Sequence, residues 1–212
     1  NRVVGGSYGI YSYGVGTTSL EEGNVVSNNT VVDFYYMGIY NYYQDGMTVS
    51  QNSVTSNSTF TTMYGIYSYY SMGDIEYVGN HVYPTAGTDG FYMAMYFSQA
   101  VGNDPFDRDL IANNILIAGR QGETGTVYGL YMANADMKNI YHNTCIVLDG
   151  GVSARAVYVS GNDGCDYVNN IFAILPWDTN STYGNGNAMY YASGALFESN
   201  NNNFYSNGGT PI

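Results

Sequence analysis

A three-residue motif recurs seven times along this chain of 212 residues. Each copy consists of a small residue, an aliphatic residue and a tyrosine, and successive copies lie about 30 residues apart. The copies are Gly9-Ile10-Tyr11, Gly38-Ile39-Tyr40, Gly65-Ile66-Tyr67, Ala94-Met95-Tyr96, Gly129-Leu130-Tyr131, Ala156-Val157-Tyr158 and Ala188-Met189-Tyr190. Such a period is typical of solenoid proteins, in which stacked repeats share one continuous core.

A second motif follows every copy of the first and keeps in phase with it. It is an asparagine with an apolar residue two positions later: Asn29/Val31, Asn52/Val54, Asn80/Val82, Asn114/Leu116, Asn143/Cys145, Asn170/Phe172 and Asn203/Tyr205. An apolar residue also stands three positions before each asparagine except in the last copy, where Asn200 takes its place. Short apolar segments separated by Gly, Asn and Asp predict two or three strands per repeat, each paired in parallel with its copy in the next coil.

Together the two motifs resemble the repeats of the pectin-lyase-like proteins, and within them the parallel β-helix repeat group that includes NosD-like periplasmic proteins. This resemblance covers nearly the whole chain and implies an all-β, right-handed, single-stranded parallel β-helix (solenoid) of about seven coils. We expect residues 1–212 to form a single β-helix segment of a longer protein, because the sequence begins inside a repeat. The family contains lyases, hydrolases, epimerases, adhesins and non-catalytic surface proteins, so the resemblance alone selects no function.

The charge of the chain excludes several classes of partner. Five Lys and Arg residues stand against 17 Asp and Glu, which gives a net charge of −12. No basic surface is available to neutralise nucleic-acid phosphates or to dock on anionic membranes, and no apolar run reaches the length of a membrane span. We expect a bacterial protein that is secreted or located at the cell surface. Cys145 and Cys165 are predicted to be two buried free thiols, with a disulfide as the alternative in an oxidising compartment.

Strand alternation predicts which rows of residues face outward. The aliphatic row is expected to point inward, and the small row and the tyrosine row outward, with each tyrosine ring lying along the sheet. Two positions after the tyrosine, a second outward row is predicted, consisting of Tyr13, Tyr42, Tyr69, Ser98, Ala133, Ser160 and Ala192. The asparagine row is expected at a sharp turn, because Asn tolerates the left-handed backbone conformation.

A broad exposed aromatic patch is typical of a binding surface, and phenol rings suit the apolar faces and hydroxyl groups of sugars. The predicted ligand-binding residues are Tyr11, Tyr13, Tyr40, Tyr42, Tyr67 and Tyr69 in the first three coils. Two alternatives remain open at this point, namely a docking face for a neighbouring domain of the same protein and a ladder that only stabilises the fold. Trp177, in a late insertion, is predicted either to stack on sugar or to cover a coil edge.

Acidic residues follow the tyrosine strands. Asp45, Asp136 and Asp163 share one offset from the aliphatic row, and Asp104 and Asp107 lie in an insertion of the fourth coil. Convergence of Asp104, Asp107, Asp136 and Asp163 on one edge would form an oxygen site that suits Ca²⁺. Beside Arg108 or Lys138, the same four residues are also the candidates for catalysis. The alternative is that each aspartate caps the backbone amides of a turn.

The sequence therefore predicts an extracellular or cell-surface β-helix scaffold or binding module, such as an adhesin, that recognises polysaccharide or cell-surface glycan through a tyrosine face. The alternative function is that of a polysaccharide lyase or glycoside hydrolase of the pectin-lyase-like superfamily. Acidic side chains converging with Arg108 or Lys138 in a groove would favour the enzyme. An uncovered tyrosine face would favour the binding module.

Overall fold

The computed structural model describes residues 1–84, 90–101, 108–120, 123–150, 153–175, 186–195 and 198–207. These ranges contain 24 β-strands and no helix, and hence no helix that could cross a membrane. The strands are β1 (Arg2–Val4), β2 (Tyr8–Tyr13), β3 (Glu21–Glu22), β4 (Val25–Ser27), β5 (Thr30–Val32), β6 (Met37–Tyr42), β7 (Gln44–Asp45), β8 (Thr48–Ser50), β9 (Ser53–Ser56), β10 (Thr62–Tyr69), β11 (Glu76–Val78), β12 (His81–Pro84), β13 (Phe91–Ser98), β14 (Asp109–Ala112), β15 (Ile115–Ala118), β16 (Thr126–Ala133), β17 (Lys138–Tyr141), β18 (Thr144–Val147), β19 (Arg155–Asp163), β20 (Asp166–Val168), β21 (Ile171–Ile174), β22 (Asn187–Ala195), β23 (Glu198–Asn200) and β24 (Asn203–Ser206).

Three long parallel sheets run along the molecule. The tyrosine sheet has the order β2-β6-β10-β13-β16-β19-β22, the second sheet β4-β8-β11-β14-β17-β20-β23 and the third sheet β1-β5-β9-β12-β15-β18-β21-β24. The chain visits these sheets in turn and pairs each strand with the equivalent strand of the next coil. This is a right-handed parallel β-helix, as the repeat predicts. Its seven copies of the repeat make about six complete turns of the helix.

The aliphatic row forms the inward side of the tyrosine sheet. Ile39 pairs with Ile66, and Ile66 with Met95, so the row stays in register from coil to coil. These side chains are fully buried against apolar residues of the other two sheets, such as Val49 and Val54. Every coil thus completes its core by contact with the coils before and after it.

The small row is also buried, and the prediction that it faces outward was wrong. Strand alternation is interrupted here, because the small residue and the aliphatic residue after it both face the core. A Cβ atom added to Gly65 would lie 2.3 Å from Cγ1 of Val82 and 2.5 Å from the carbonyl oxygen of Ala94. A small residue is therefore required at this position, because the apolar residue two positions after the ladder asparagine approaches it from the opposite wall of the coil.

The asparagine row is a buried hydrogen-bonded ladder. Asn80, for example, donates from its backbone N and its Nδ2 to Oδ1 of Asn114, at 2.9 and 3.0 Å, and the pattern repeats along the molecule. The left-handed conformation belongs to the residue before each ladder asparagine, so the sequence placed it one position too late: Asn28, Gln51, Gly79, Asn113, His142, Asn169 and Asn201. In the last coil the ladder residue is Asn202 rather than the predicted Asn203.

Candidate functional site

The tyrosine row forms a stack on the outside of the tyrosine sheet that is continuous from Tyr11 to Tyr131, after which Tyr158 meets Tyr131 edge to face at 77°. From Tyr11 through Tyr40, Tyr67 and Tyr96 to Tyr131, ring centroids are 5.0, 5.1, 4.6 and 4.5 Å apart, and ring planes are tilted by 15° at most. Successive rings overlap face to face, which differs from the predicted arrangement along the sheet. The overlap occurs because parallel pairing brings identical residues to the spacing at which aromatic rings stack. Ring edges and hydroxyl groups therefore face the solvent.

A second stack widens this surface in the first three coils. Tyr13, Tyr42 and Tyr69 lie beside the first row. The ring centroids of Tyr13 and Tyr42 are 5.3 Å apart, and those of Tyr42 and Tyr69 are 4.9 Å apart. Tyr11 and Tyr13 are 49% and 54% exposed, whereas the other four predicted ligand-binding tyrosines are half-buried. We call these six residues the tyrosine platform. The row continues as small residues at Ser98, Ala133 and Ser160, and a β-bulge puts Ser193 rather than the predicted Ala192 in the last coil.

Tyr43 and Tyr70 extend the platform around the corner of the coil. The rings of Tyr42 and Tyr43 are 3.9 Å apart, and the hydroxyl of Tyr42 donates to that of Tyr43 at 3.0 Å. Both corner tyrosines have a left-handed backbone, with φ of 57° and 49°. A bulky residue in this conformation is uncommon and costs free energy. The equivalent positions in other coils are occupied by Gly14, Gln99, Asn134 and Gly161.

The corner tyrosines escaped the sequence-based prediction, although the doublets Tyr42-Tyr43 and Tyr69-Tyr70 carried the signal. Gly and Asn are the residues that suit a left-handed corner, and a tyrosine in that place is favoured by no requirement of the fold. Strained residues cluster at binding sites and active sites. The corner tyrosines of the second and third coils are therefore a departure from the repeat that makes this end of the tyrosine sheet the candidate site.

An aromatic groove adjoins the platform on its other side. Its volume is about 350 Å³, and it is lined by Ser7, Tyr8, Tyr35, Tyr36, Phe60 and Thr62. The rings of Tyr35 and Phe60 are 4.4 Å apart, and Tyr36 meets Phe60 edge to face at 87°. Tyr8 stacks on Tyr11 at 5.2 Å, so the groove and the platform form one surface. The groove residues lie partly in connections outside the repeated motifs, which explains why the motifs did not reveal them.

Raised pKa values keep the phenols of Tyr40, Tyr42, Tyr64 and Tyr67 neutral at physiological pH. Burial is the main cause that raises the pKa of Tyr40 and Tyr67, and it raises the pKa of Tyr64 to about 12. The pKa of Tyr42 is raised chiefly by its hydrogen bond with Tyr43. Neutral phenols both donate and accept hydrogen bonds, so the platform presents a row of such groups at the spacing of the coils.

Of the four aspartates in the predicted acidic site, the two that the structure describes, Asp136 and Asp163, accept hydrogen bonds from backbone amides. Oδ1 of Asp136 accepts a hydrogen bond from the backbone N of Asp163 at 2.8 Å, and Asp163 accepts one from the backbone N of Ala195. Each aspartate thus caps a turn of the following coil. The described residues contain no group of three or more metal-ligating side chains. Asp104, Asp107 and Trp177 lie outside the described residues, so their proposed roles remain predictions.

The basic candidates are held elsewhere. Arg108 forms an ion pair with Asp166 on the second sheet. Lys138 is fully buried, pairs with buried Asp109, and also donates to the carbonyl oxygens of Ala100 and Asp136 at 2.6 and 2.8 Å. Burial lowers the pKa of Lys138, but its three contacts occupy the ammonium group inside the coil. Arg108 is thus paired on the second sheet and the ammonium group of Lys138 is enclosed inside the coil. Because Asp104 and Asp107 lie outside the described residues, the arrangement expected of the enzyme stays a prediction.

The two cysteines are buried and free, in agreement with the prediction. Burial raises the pKa of the Cys165 thiol to about 11 and that of Cys145 further. A thiol in this state is poorly nucleophilic, because the thiolate is the reactive form.

Comparison with known proteins supports the fold. No protein-family model and no curated protein matches the sequence. Among solved structures, the chain is similar to the crystal structure of a mutant of the periplasmic alginate epimerase AlgG, with a TM-score of 0.57 and 14% sequence identity. The match covers 92% of this chain and 47% of that protein, so the chain spans about half the length of its structural neighbour. At this identity the likeness shows a shared parallel β-helix and nothing about activity.

Proposed function

We propose that this chain is an extracellular or cell-surface bacterial β-helix module that binds polysaccharide through the tyrosine platform and the aromatic groove. The observation that carries the proposal is the enlargement of the aromatic surface in coils one to three. Here a second stack, two strained corner tyrosines and the groove are added to a tyrosine row that otherwise runs the length of the rod. Fold stability alone requires none of these additions.

The chemistry of the surface suits sugars. Ring edges and part-exposed rings offer apolar contacts to the C–H groups of a pyranose, and the neutral hydroxyls of the platform exchange hydrogen bonds with sugar hydroxyls. The groove, with rings at steep angles to one another, has walls against which one sugar ring packs. A polysaccharide laid along the rod would meet the same group once per coil. The match to a periplasmic alginate epimerase agrees with a carbohydrate-related role, and binding to a polysaccharide outside the cytoplasm is our proposal for this chain.

A glycan array tests this function with two matched double variants. Tyr40→Ala/Tyr67→Ala removes rings from the platform, whereas Tyr131→Ala/Tyr158→Ala removes rings of the same row in coils five and six. We expect the first variant to lose affinity at least about tenfold and the second to stay within about twofold of the unmodified protein. Thermal unfolding of both variants confirms equal folding. Equal losses in both variants, or no glycan bound by the unmodified protein, would refute the proposal.

A further inference from the structure

We infer that the tyrosine platform selects polysaccharides that carry no carboxylate or sulfate groups. This inference rests on the proposed function and assigns a substrate class to the same site. Its basis is the distribution of charge around the platform, where carboxylates are present and cations are missing. The overall net charge does not reveal this distribution.

Cations are absent from the platform. The five basic residues of the chain are Arg2, Arg108, Arg120, Lys138 and Arg155, so no Lys or Arg occurs between positions 3 and 107. Arg2 lies in β1, on the third sheet rather than the tyrosine sheet. Recognition of a sugar carboxylate or sulfate ordinarily uses a guanidinium or ammonium group, which neutralises the charge as the ligand loses its water.

Arg155 is the cation that the tyrosine sheet does carry on its outer face, and it lies in the sixth coil. It is in register with Tyr128 and sits 5.0 Å from the ring centroid of Tyr190. Three coils separate it from Tyr67, which is roughly 14 Å at the usual strand spacing. Because the Debye length at physiological salt is about 8 Å, Arg155 does little to offset repulsion at the platform.

Carboxylates border the platform instead. Exposed Glu21 and Glu22 form β3, which pairs with β7 directly after Tyr43, and Asp45 is the β7 residue opposite Glu22. On the groove side, exposed Asp33 precedes Tyr35 by two residues. An anionic polymer bound here would pass acidic groups on both borders and meet no compensating cation. A neutral sugar chain, by contrast, requires only the hydrogen bonds and apolar contacts that the rings supply.

The test compares oligosaccharides that differ only in charge. For the backbone that binds best on the array, affinity is measured for the neutral oligosaccharide and for its C6-oxidised polyuronate of equal length; cello-oligosaccharides and manno-oligosaccharides are two such series. We expect the neutral member to bind at least about tenfold more tightly at low salt, and the gap to narrow at high salt as repulsion is screened. An equal or tighter polyuronate, or an array on which anionic glycans bind best, overturns the inference.

A charge-reversal variant adds a gain of function. In Glu21→Lys/Glu22→Lys both altered side chains are exposed, and we expect affinity for the polyuronate to rise roughly fivefold while the neutral member changes less than twofold. An unchanged polyuronate affinity would show that charge at this border does not set the selectivity. If neither the neutral oligosaccharide nor its polyuronate binds, and Tyr40→Ala/Tyr67→Ala does not change this result, the proposed function itself is rejected.

Discussion

Two ladders of identical residues run along this molecule, and they differ in what their environment demands. Within the inner ladder, an asparagine such as Asn114 is held by side-chain and backbone partners in the coils on both sides. The tyrosines of the outer ladder stack on one another from Tyr11 to Tyr131 but keep an edge and a hydroxyl toward solvent. The inner ladder persists in every coil, whereas the outer surface gains and loses rows. Burial thus fixes the first ladder, and exposure leaves the rows of the second surface free to vary.

The largest expected effect comes from breaking the inner ladder at Asn114→Ala. Asn114 donates to Asn143 Oδ1 at 2.9 Å and to the Tyr77 carbonyl oxygen at 2.8 Å, and it accepts two bonds from Asn80. Because the substitution would leave these buried partners without their hydrogen bonds, we expect the free energy of unfolding to fall by about 3–5 kcal/mol. Urea denaturation measures the loss. Exposed Asn57→Ala is the control and should change it by less than about 0.5 kcal/mol.

The next largest effect is expected from Gly65→Ala, which tests how the core supports the outer face. The added Cβ would clash with Val82 and with the backbone of Ala94, so we expect a loss of about 2–3 kcal/mol. Adding Val82→Leu should restore part of the lost stability. The fourth coil already has this combination, with Ala94 in place of the glycine and Leu116 in place of the valine.

Gly16 serves as the control for this substitution, since a Cβ there meets nothing within 4 Å and Gly16→Ala should be close to neutral. A double variant no more stable than Gly65→Ala alone would contradict the packing explanation.

Alkaline pH tests what the burial of tyrosine contributes, because tyrosine ionises whereas the asparagine ladder does not. Tyr131 belongs to the outer ladder, and Tyr77 is a core residue of the second sheet. Burial raises the pKa of Tyr77 and of Tyr131 to about 12, above the value of 10.0 in an unfolded chain. A raised pKa contributes stability that is complete below about pH 10 and is lost as pH rises toward 12. At about pH 11 we expect fully buried Tyr77 alone to cost roughly 1 kcal/mol. Urea midpoints at neutral pH and at about pH 11 measure this, and an unchanged midpoint would contradict it.

The smallest effect on stability is expected at the corner of the platform. In Tyr43→Asn, relief of left-handed strain offsets the lost contact with Tyr42, so we expect a net change within about 1 kcal/mol. Glycan affinity should nevertheless fall about threefold or more, as measured by titration calorimetry. Asn134, which already occupies the equivalent corner in coil five, shows that asparagine fits this conformation. Undiminished affinity would mean that the corner tyrosine serves the fold.

Much of the fold follows from the repeat, but alternation misplaced the small row and the asparagine motif misplaced one ladder residue. The Gly-Ile-Tyr motif reads as a strand with one inward residue, whereas Gly65 and Ile66 both face inward. In the last coil, four successive asparagines precede the apolar residue Phe204, and only the ladder hydrogen bond identifies Asn202 as the equivalent residue. A pattern of period two cannot reveal such interruptions, because they depend on what the opposite wall of the coil contains.

The candidate site was predictable only where it repeats. The platform tyrosines were found because they share one offset, while Tyr36 and Phe60 lie in connections that carry no period. The predicted partnership of Asp136 and Asp163 is real in space, yet it is a backbone cap and not a ligand pair. Sequence position placed the two residues in adjacent coils but gave no information on which atoms each carboxylate would meet.

The sequence by itself determined the period, the parallel pairing of coils, the inward aliphatic row and the enrichment of tyrosine in the first three coils. These follow from local chemistry repeated at a fixed spacing. Tertiary structure decided what repetition cannot specify: that tyrosine rings stack and present their edges, that Lys138 is buried with Asp109, and that a groove forms beside Tyr8. The physical reason is that each of these depends on contacts between separate segments, whose geometry is set only when the coils close on one another.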